Sequence, residues 1–341
     1  VPVYAEILCG RCFRCSQRID GVKGWERQQS NGKTFTEKKN FRNSIVIRQK
    51  SLEWSAQVGG LHFGSGRQWQ RKYRSVFTRT ERPEVHLRSI RCSCRSQHGI
   101  WNYETMQSLH GIYYDFLLKI EGEQVQSADP YAKACGVNGL RSMAVDLRKT
   151  DPVMWESDKA PEKEAEQIIY ELHVKEFSWD ASGGFPVEVR GKYPAFCCKD
   201  TSLYGDGKHP TGLSYLKNLG VNYVQLMPVY DYGSVDEAGR ADGFNWGYDP
   251  LNYNVPEGSY STDPFHGEVR IRELKEAIQA LHRQGFRVIM DVVYNHTYSL
   301  DSWLQKTMPW YFYRVWEDGS VSNGSACGND VASEQAMCAK Y

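Results

Sequence analysis

The sequence predicts an α/β protein in which strand–helix repeats follow a short antiparallel β unit. Three observations carry that prediction. From about residue 167 onward, compact apolar strands alternate with helical patterns, as expected for parallel strands joined by crossovers. One of those helices has an unbroken apolar stripe. Residues 99–150 read differently, as β-branched and aromatic runs separated by turns.

Taken in order, residues 1–98 carry only hints of strand, at Ser44–Arg48 and Tyr73–Phe77, and no sustained period. They are assigned as an unplaced basic segment, out of frame or disordered. Ile100–Glu104 and Gly111–Ile120 predict strands, Glu121-Gly-Glu123 a turn, Gln124–Ser127 the return and Ser142–Leu147 a closing strand. Residues 151–166 are polar, hold Pro152 and Pro161, and read as a linker.

The repeats occupy 167–341. Gln167–His173 predicts the first strand. Thr211 is placed to cap a helix bearing Leu213, Leu216 and Leu219, with Gly220 as its stop. Asn222–Met227, ended by Pro228, predicts the second strand. Ile271, Leu274, Ile278 and Leu281 then form a helical stripe, with Glu273, Lys275, Glu276, Gln279 and Arg283 opposite and Gly285 as the stop. Phe286–Val293 is apolar enough for a strand buried on both faces. A third helix is expected to begin at Ala332–Ala336.

Composition excludes some functions. Hydrophobic content is 40% and aromatic content 13%, and no apolar run approaches the roughly 18 residues of a membrane span. No membrane partner is expected. No basic-then-apolar leader appears at Val1-Pro-Val-Tyr4, which favours a cytoplasmic location over secretion. The net charge of +1 hides an asymmetry: residues 1–100 hold 20 basic and 7 acidic residues, the remainder 22 and 34. Cys9, Cys12 and Cys15 with Cys92 and Cys94 make a poor zinc set, and no recognisable module accompanies the basic segment. Free thiols are the expectation, with neither metal nor cofactor and no nucleic-acid partner.

The candidate site comes from loop length. About forty residues, Pro228 to Gly267, join the second strand to the striped helix, where strand–helix loops usually run about 2–6. Such loops build sites at the C-terminal mouth of a parallel sheet. This one holds Asp242–Leu251, rich in aromatic and amide groups, and Asp291 to Thr297 leaves the next strand toward the same mouth. Aromatic faces, amides, a carboxylate and an imidazole together suit a sugar cleft.

Phe244-Asn-Trp-Gly-Tyr-Asp-Pro250 and Asp291-Val-Val-Tyr-Asn-His-Thr297 resemble two motifs of the α-amylase superfamily, glycoside hydrolase family 13, and in particular its type I pullulanases. Phe244 stands where that family usually has Tyr. Asp129-Pro-Tyr-Ala-Lys-Ala134 and Gly136-Val-Asn-Gly139 resemble the end of the β-sandwich starch-binding module that precedes such barrels. The resemblance covers about residues 99–341. It implies the N-terminal part of a (β/α)8 TIM barrel, about three of eight units, behind the end of that module. It also implies an enzyme that hydrolyses α-1,6-glucosidic links, with α-glucans such as pullulan, branched dextrins and glycogen as partners.

On that resemblance, Tyr248 stacks on the sugar at the cleavage subsite and His296 hydrogen-bonds its hydroxyls. Asp291 orients the cluster, beside Asn295, and Asn245, Trp246 and Asp249 shape the wall. The family's nucleophile, general acid and third essential Asp belong to later strands, so no catalytic residue is assigned and the chain reads as an inactive fragment. The alternatives are a glucan-binding protein without catalysis or a basic zinc- or nucleic-acid-binding protein.

Overall fold

The structure is a computed structural model. It describes residues 108–120, 123–239, 243–335, 338–339 and 341, and the backbone of seven strands between residues 6 and 102. Those strands are β1 (Glu6–Leu8), β2 (Asn43–Lys50), β3 (Glu53–Gly60), β4 (Arg74–Thr78), β5 (Arg88–Arg91), β6 (Ser93–Arg95) and β7 (Ile100–Asn102). β8 (Ile112–Ile120), β9 (Glu123–Ser127) and β10 (Ser142–Ala144) follow. One antiparallel sheet runs β1-β2-β3-β7-β6, and a second runs β10-β8-β4-β5 with β9 also on β8.

The second sheet also takes in strands before residue 99. β4 pairs with β8 from Arg74↔Leu117 to Thr78↔Tyr113, so the second sheet reaches back to residue 74. A nine-residue strand offers a long edge, and Val76, Phe77 and Thr78 are enough to join it. The closing strand is shorter than expected. It stops at Ala144, and the Asp146 side chain accepts from Arg148 N to start a 3₁₀ turn at Leu147–Thr150. Cys9, Cys12, Cys15 and Cys92 lie outside the described residues, as does the turn at Glu121. Cys135, Cys197, Cys198, Cys327 and Cys338 are free thiols.

The strand–helix part comprises β11 (Ile169–Leu172), α1 (Gly212–Asn218), β12 (Tyr223–Leu226), β13 (Tyr230–Tyr232), β14 (Pro250–Pro256), α2 (Gly267–Arg283), β15 (Arg287–Met290) and α3 (Trp303–Thr307). β11, β12 and β15 form a parallel sheet in that order, in register from Ile169↔Tyr223↔Arg287 to Leu172↔Leu226↔Met290. β13 and β14 make an antiparallel ribbon inside the long loop. Leu213, Leu216, Val224, Leu226, Leu274, Ala277, Leu281 and Phe286 form the main core. Burying a leucine such as Leu281 contributes roughly 1.5–3 kcal/mol.

Five readings change at this level. The strand expected over Phe286–Val293 is β15, Arg287–Met290, and it is not buried on both faces: Met290 is 46% exposed, because among the described residues β15 is an outer strand. β11, on the other edge, likewise exposes Ile168, Ile169 and Tyr170, while Val224 and Leu226 on central β12 are fully buried. In α1 the third leucine, Leu219, is exposed, and Thr211 donates its Oγ1 to Gly183 O at 2.7 Å instead of capping the helix. Residues 332–335 form a turn, since Val331 N and Ala332 N bond to Asn295 O and Phe312 O; Ala336 lies outside the described residues. Past that turn residues 338–339 are helical, with Ala339 N bonded to Gln335 O at 2.9 Å. A separate short helix, α3, is capped by Ser302 Oγ, which accepts from Gln305 N at 3.1 Å.

The fifth concerns α2 and the expected linker. Glu273 is buried where Thr262 donates its N–H and Oγ1 to it, and Gln279 is buried under the chain around 147–158, which lies over α2. Lys275 Nζ donates to Leu147 O at 3.0 Å and pairs with Asp151 at 2.5 Å. His282 Nδ1 lies 2.6 Å from Asp158, and Gln279 donates to Val153 O. The stretch after Thr150 is therefore strapped to the helix. Among the described residues no helix is long and apolar enough to cross a membrane.

Arg270, fully buried, sits where these parts meet. Its Nη1 donates to Asp231 Oδ1, Glu237 Oε1 and Pro256 O at 3.1–3.2 Å. Nη2 donates to Glu237 Oε2 at 2.8 Å, Pro264 O at 3.0 Å and Gly136 O at 3.3 Å. Glu257 is buried beside them and accepts from Tyr232 N and Ser259 N. Burial pushes the Glu257 carboxyl up to about 8 and raises Asp231, so the cluster carries less negative charge than its three acids imply.

Replacing Arg270 with Met should cost about 3–5 kcal/mol in urea unfolding at neutral pH, with part recovered at pH 5 as the acids take up protons. A second titration sits at Asp129, which accepts from Tyr131 N and Tyr114 Oη at 2.9 and 2.8 Å. Burial raises its carboxyl from 3.8 to about 7. Its contribution is therefore full below about pH 4 and lost as pH rises through about 7. The urea midpoint should fall between pH 5 and 8, and Asp129→Asn should flatten that fall.

Candidate functional site

The long loop returns to the mouth of the sheet at Gly243–Pro250 and is shaped by its own side chains. Asn245 Oδ1 accepts from Gly247 N at 2.6 Å, closing an Asx turn. Gly247 takes φ +93°, and a Cβ there would lie 2.9 Å from Pro228 Cβ, so glycine is required twice over. Asn245 Nδ2 donates to Asp249 Oδ2 at 3.2 Å, and Ser234 Oγ donates to the same oxygen. Burial raises the Asp249 carboxyl, opposed by these bonds. Trp246, at the crest, is 63% exposed.

Two histidines at strand exits hold this loop. His173, just past β11, places Nε2 2.8 Å from Asn245 O and 2.9 Å from Tyr260 Oη, while Nδ1 accepts from Glu176 N. Its Nε2–H is therefore the donor to the carbonyl. Burial lowers its pKa, keeping the ring neutral in that role. His296, beyond β15, donates Nε2–H to Tyr248 O at 2.6 Å. Its Nδ1 lies 2.6 Å from Asn295 Oδ1. Tyr253 Oη donates to His296 O, fixing the residue from behind.

Tyr248 is thus held at both ends, since its Oη donates to Asp291 Oδ2 at 2.9 Å. Partial burial and that bond push the phenol up to about 12, so it stays a neutral donor. Asp291 is positioned because its N–H continues the ladder to Leu226 O at 3.0 Å. Chemically, the arrangement offers an aromatic ring fixed at its hydroxyl and its backbone, flanked by amides and carboxylates.

The structure brings Asn245, Tyr248, Asp249, Asp291, Asn295 and His296 into one connected network, with Trp246 exposed on the same loop. His296 is buried, and both its ring nitrogens have protein partners. Sequence reasoning passed over His173, although it ends an apolar strand as Asn295-His296 does. Lys175, whose Nζ donates to Gly243 O at 2.5 Å, had no such signal.

Residues 206–334 match the family model described as alpha amylase, catalytic domain. The pullulanase of Bacillus subtilis (strain 168) is 39% identical over 249 residues, 72% of this chain and 34% of that protein. Pullulanase 1, chloroplastic, of Arabidopsis thaliana is 32% identical over 292 residues, 72% of this chain and 29% of its own length. A solved pullulanase from Paenibacillus barengoltzii, in complex with maltohexaose and alpha-cyclodextrin, is similar with a TM-score of 0.74 at 41% identity, over 79% of this chain and 42% of that one. This chain spans about a third of the length of the curated relatives it matches.

Gly247→Ala tests the loop. The left-handed backbone and the contact with Pro228 should together cost about 1–3 kcal/mol, read as a lower urea midpoint.

Proposed function

Residues 206–334 belong to the α-amylase catalytic-domain family, with pullulanases as relatives over most of the chain, and from that premise we propose that the chain supplies the substrate-binding wall of a debranching glycoside hydrolase. The α/β fold is of the TIM-barrel type. We read β11, β12 and β15 as the first three of eight barrel strands. The antiparallel strands before them, to residue 150, we read as a starch-binding β-sandwich, with residues 151–166 as the connection.

One observation carries the reading: Tyr248 is clamped by His296 at its carbonyl and by Asp291 at its hydroxyl. A ring fixed in this way can receive the apolar face of a glucose unit without paying to order itself. Asn245, Asp249 and Asn295 keep the surrounding polar groups oriented. His296 acts on the sugar through Tyr248, by fixing its backbone. The solved relative's bound maltohexaose makes an α-glucan the natural ligand class.

The whole enzyme would cleave α-1,6-glucosidic links in pullulan and related glucans with retention, by two carboxyl groups about 5–5.5 Å apart. We assign those groups to later barrel strands, and Asp291 to orienting Tyr248. The experiment is calorimetric titration of the full chain with maltohexaose, alongside a pullulan hydrolysis assay. Binding should be measurable, and Tyr248→Ala should weaken it about tenfold or more, the 1.4 kcal/mol expected of one aromatic contact. No binding by the folded chain, or pullulan turnover above background, would overturn the assignment.

A further inference from the structure

The first strand-exit loop carries an aromatic group that the proposed site does not use. Trp179 lies six residues beyond His173 and is 42% exposed. Its indole is nonetheless fixed. Lys175 Nζ stands 4.2 Å from the ring centroid, a cation–π contact, and Lys175 is itself buried. Gly191, at φ +71°, backs both groups: a Cβ there would lie 3.1 Å from the indole Cε3 and 3.0 Å from Lys175 Cγ.

The same lysine joins Trp179 to the Tyr248 loop, through Nζ to Gly243 O at 2.5 Å. His173 makes a second joint at Asn245 O. Between these joints lies Phe244, 46% exposed, its ring centroid 4.7 Å from that of His173. Trp179, Phe244 and Trp246 are exposed and Tyr248 is half-buried, and the Lys175 and His173 contacts tie the loop that carries Trp179 to the loop that carries the other three. A lone surface indole would need no such anchoring. A buried lysine that reaches both the indole and the loop carbonyl suits a platform kept in line with the site.

We infer that Trp179, aligned by Lys175, is an outlying sugar subsite that receives a glucose unit of an α-glucan chain whose nearer units lie at Tyr248. This rests on the proposed function for the ligand class. Stacking needs only the apolar face of a pyranose against the indole, so the subsite reads chain length and not linkage. Trp179 is a binding residue; Lys175 is a positioning residue, because it acts through the indole and the Gly243 carbonyl.

Calorimetric titration of the full chain with maltotriose and maltohexaose tests this. Wild-type chain should bind maltohexaose more tightly. Trp179→Ala should weaken maltohexaose binding about five- to tenfold while leaving maltotriose within twofold, and Trp179→Phe should restore part of the loss. Unchanged maltotriose binding also reports an intact fold. An unaltered maltohexaose affinity in Trp179→Ala, or an equal loss for both sugars, overturns the inference. If Tyr248→Ala leaves both affinities unchanged, the proposed function itself fails, a result separable from the other two.

Discussion

One buried guanidinium fixes where the site can be. Arg270 is donated by α2, and its acceptors come from the chain near Gly136, the β13 ribbon at Asp231, the loop at Glu237 and the stretch from Pro256 to Pro264. A forty-residue loop on a flexible root would have no defined tip. Here the root is locked by a cation that has no alternative partner in a dry interior. The close approach is visible in the glycines around it: a Cβ on Gly258 would lie 2.3 Å from Arg270 Nη2, and one on Gly267 2.3 Å from Cys135 O. Three acids around one arginine is an expensive arrangement, moderated by proton retention on Glu257 and Asp231.

The fold was legible where periodicity and burial agree. The α2 stripe, its stop at Gly285 and strand β12 follow from patterns each element carries by itself. The misreadings on α2 and β15 share one cause, which is that a pattern says which face is apolar but not how many layers cover an element. Gln279 is polar and buried because a second layer lies over α2; Met290 is apolar and exposed because no described strand lies beyond β15. Arg270 carried no signal at all. A lone arginine in a helix reads as solvated until its carboxylates are found 33 and 39 residues away.

The site was legible through its motifs, since Asn245 bonds locally to Gly247 and Asp249 while Tyr248 bonds to Asp291 and His296 of the second motif. What the motifs do not encode is support from elsewhere. His173 reaches the loop across 72 residues and Lys175 across 68. The role of His296 also depends on the third dimension, because its ring is turned inward onto the Tyr248 carbonyl. Local chemistry announced the cluster, and tertiary contacts decided which of its side chains are exposed and which hold the loop in place.

The outer strands of the parallel sheet have a colloidal consequence. Among the described residues β11 and β15 have no strand on their outer sides, where exposed apolar side chains lie: Ile169 and Tyr170 on one edge, Met290 on the other. An open strand edge is in general a surface on which a further strand can add. A net charge of only +1 supplies almost no long-range repulsion against such addition. Solubility would then be governed by how often two edges meet, so that concentration and time, more than pH or salt, set the limit on keeping the chain dispersed.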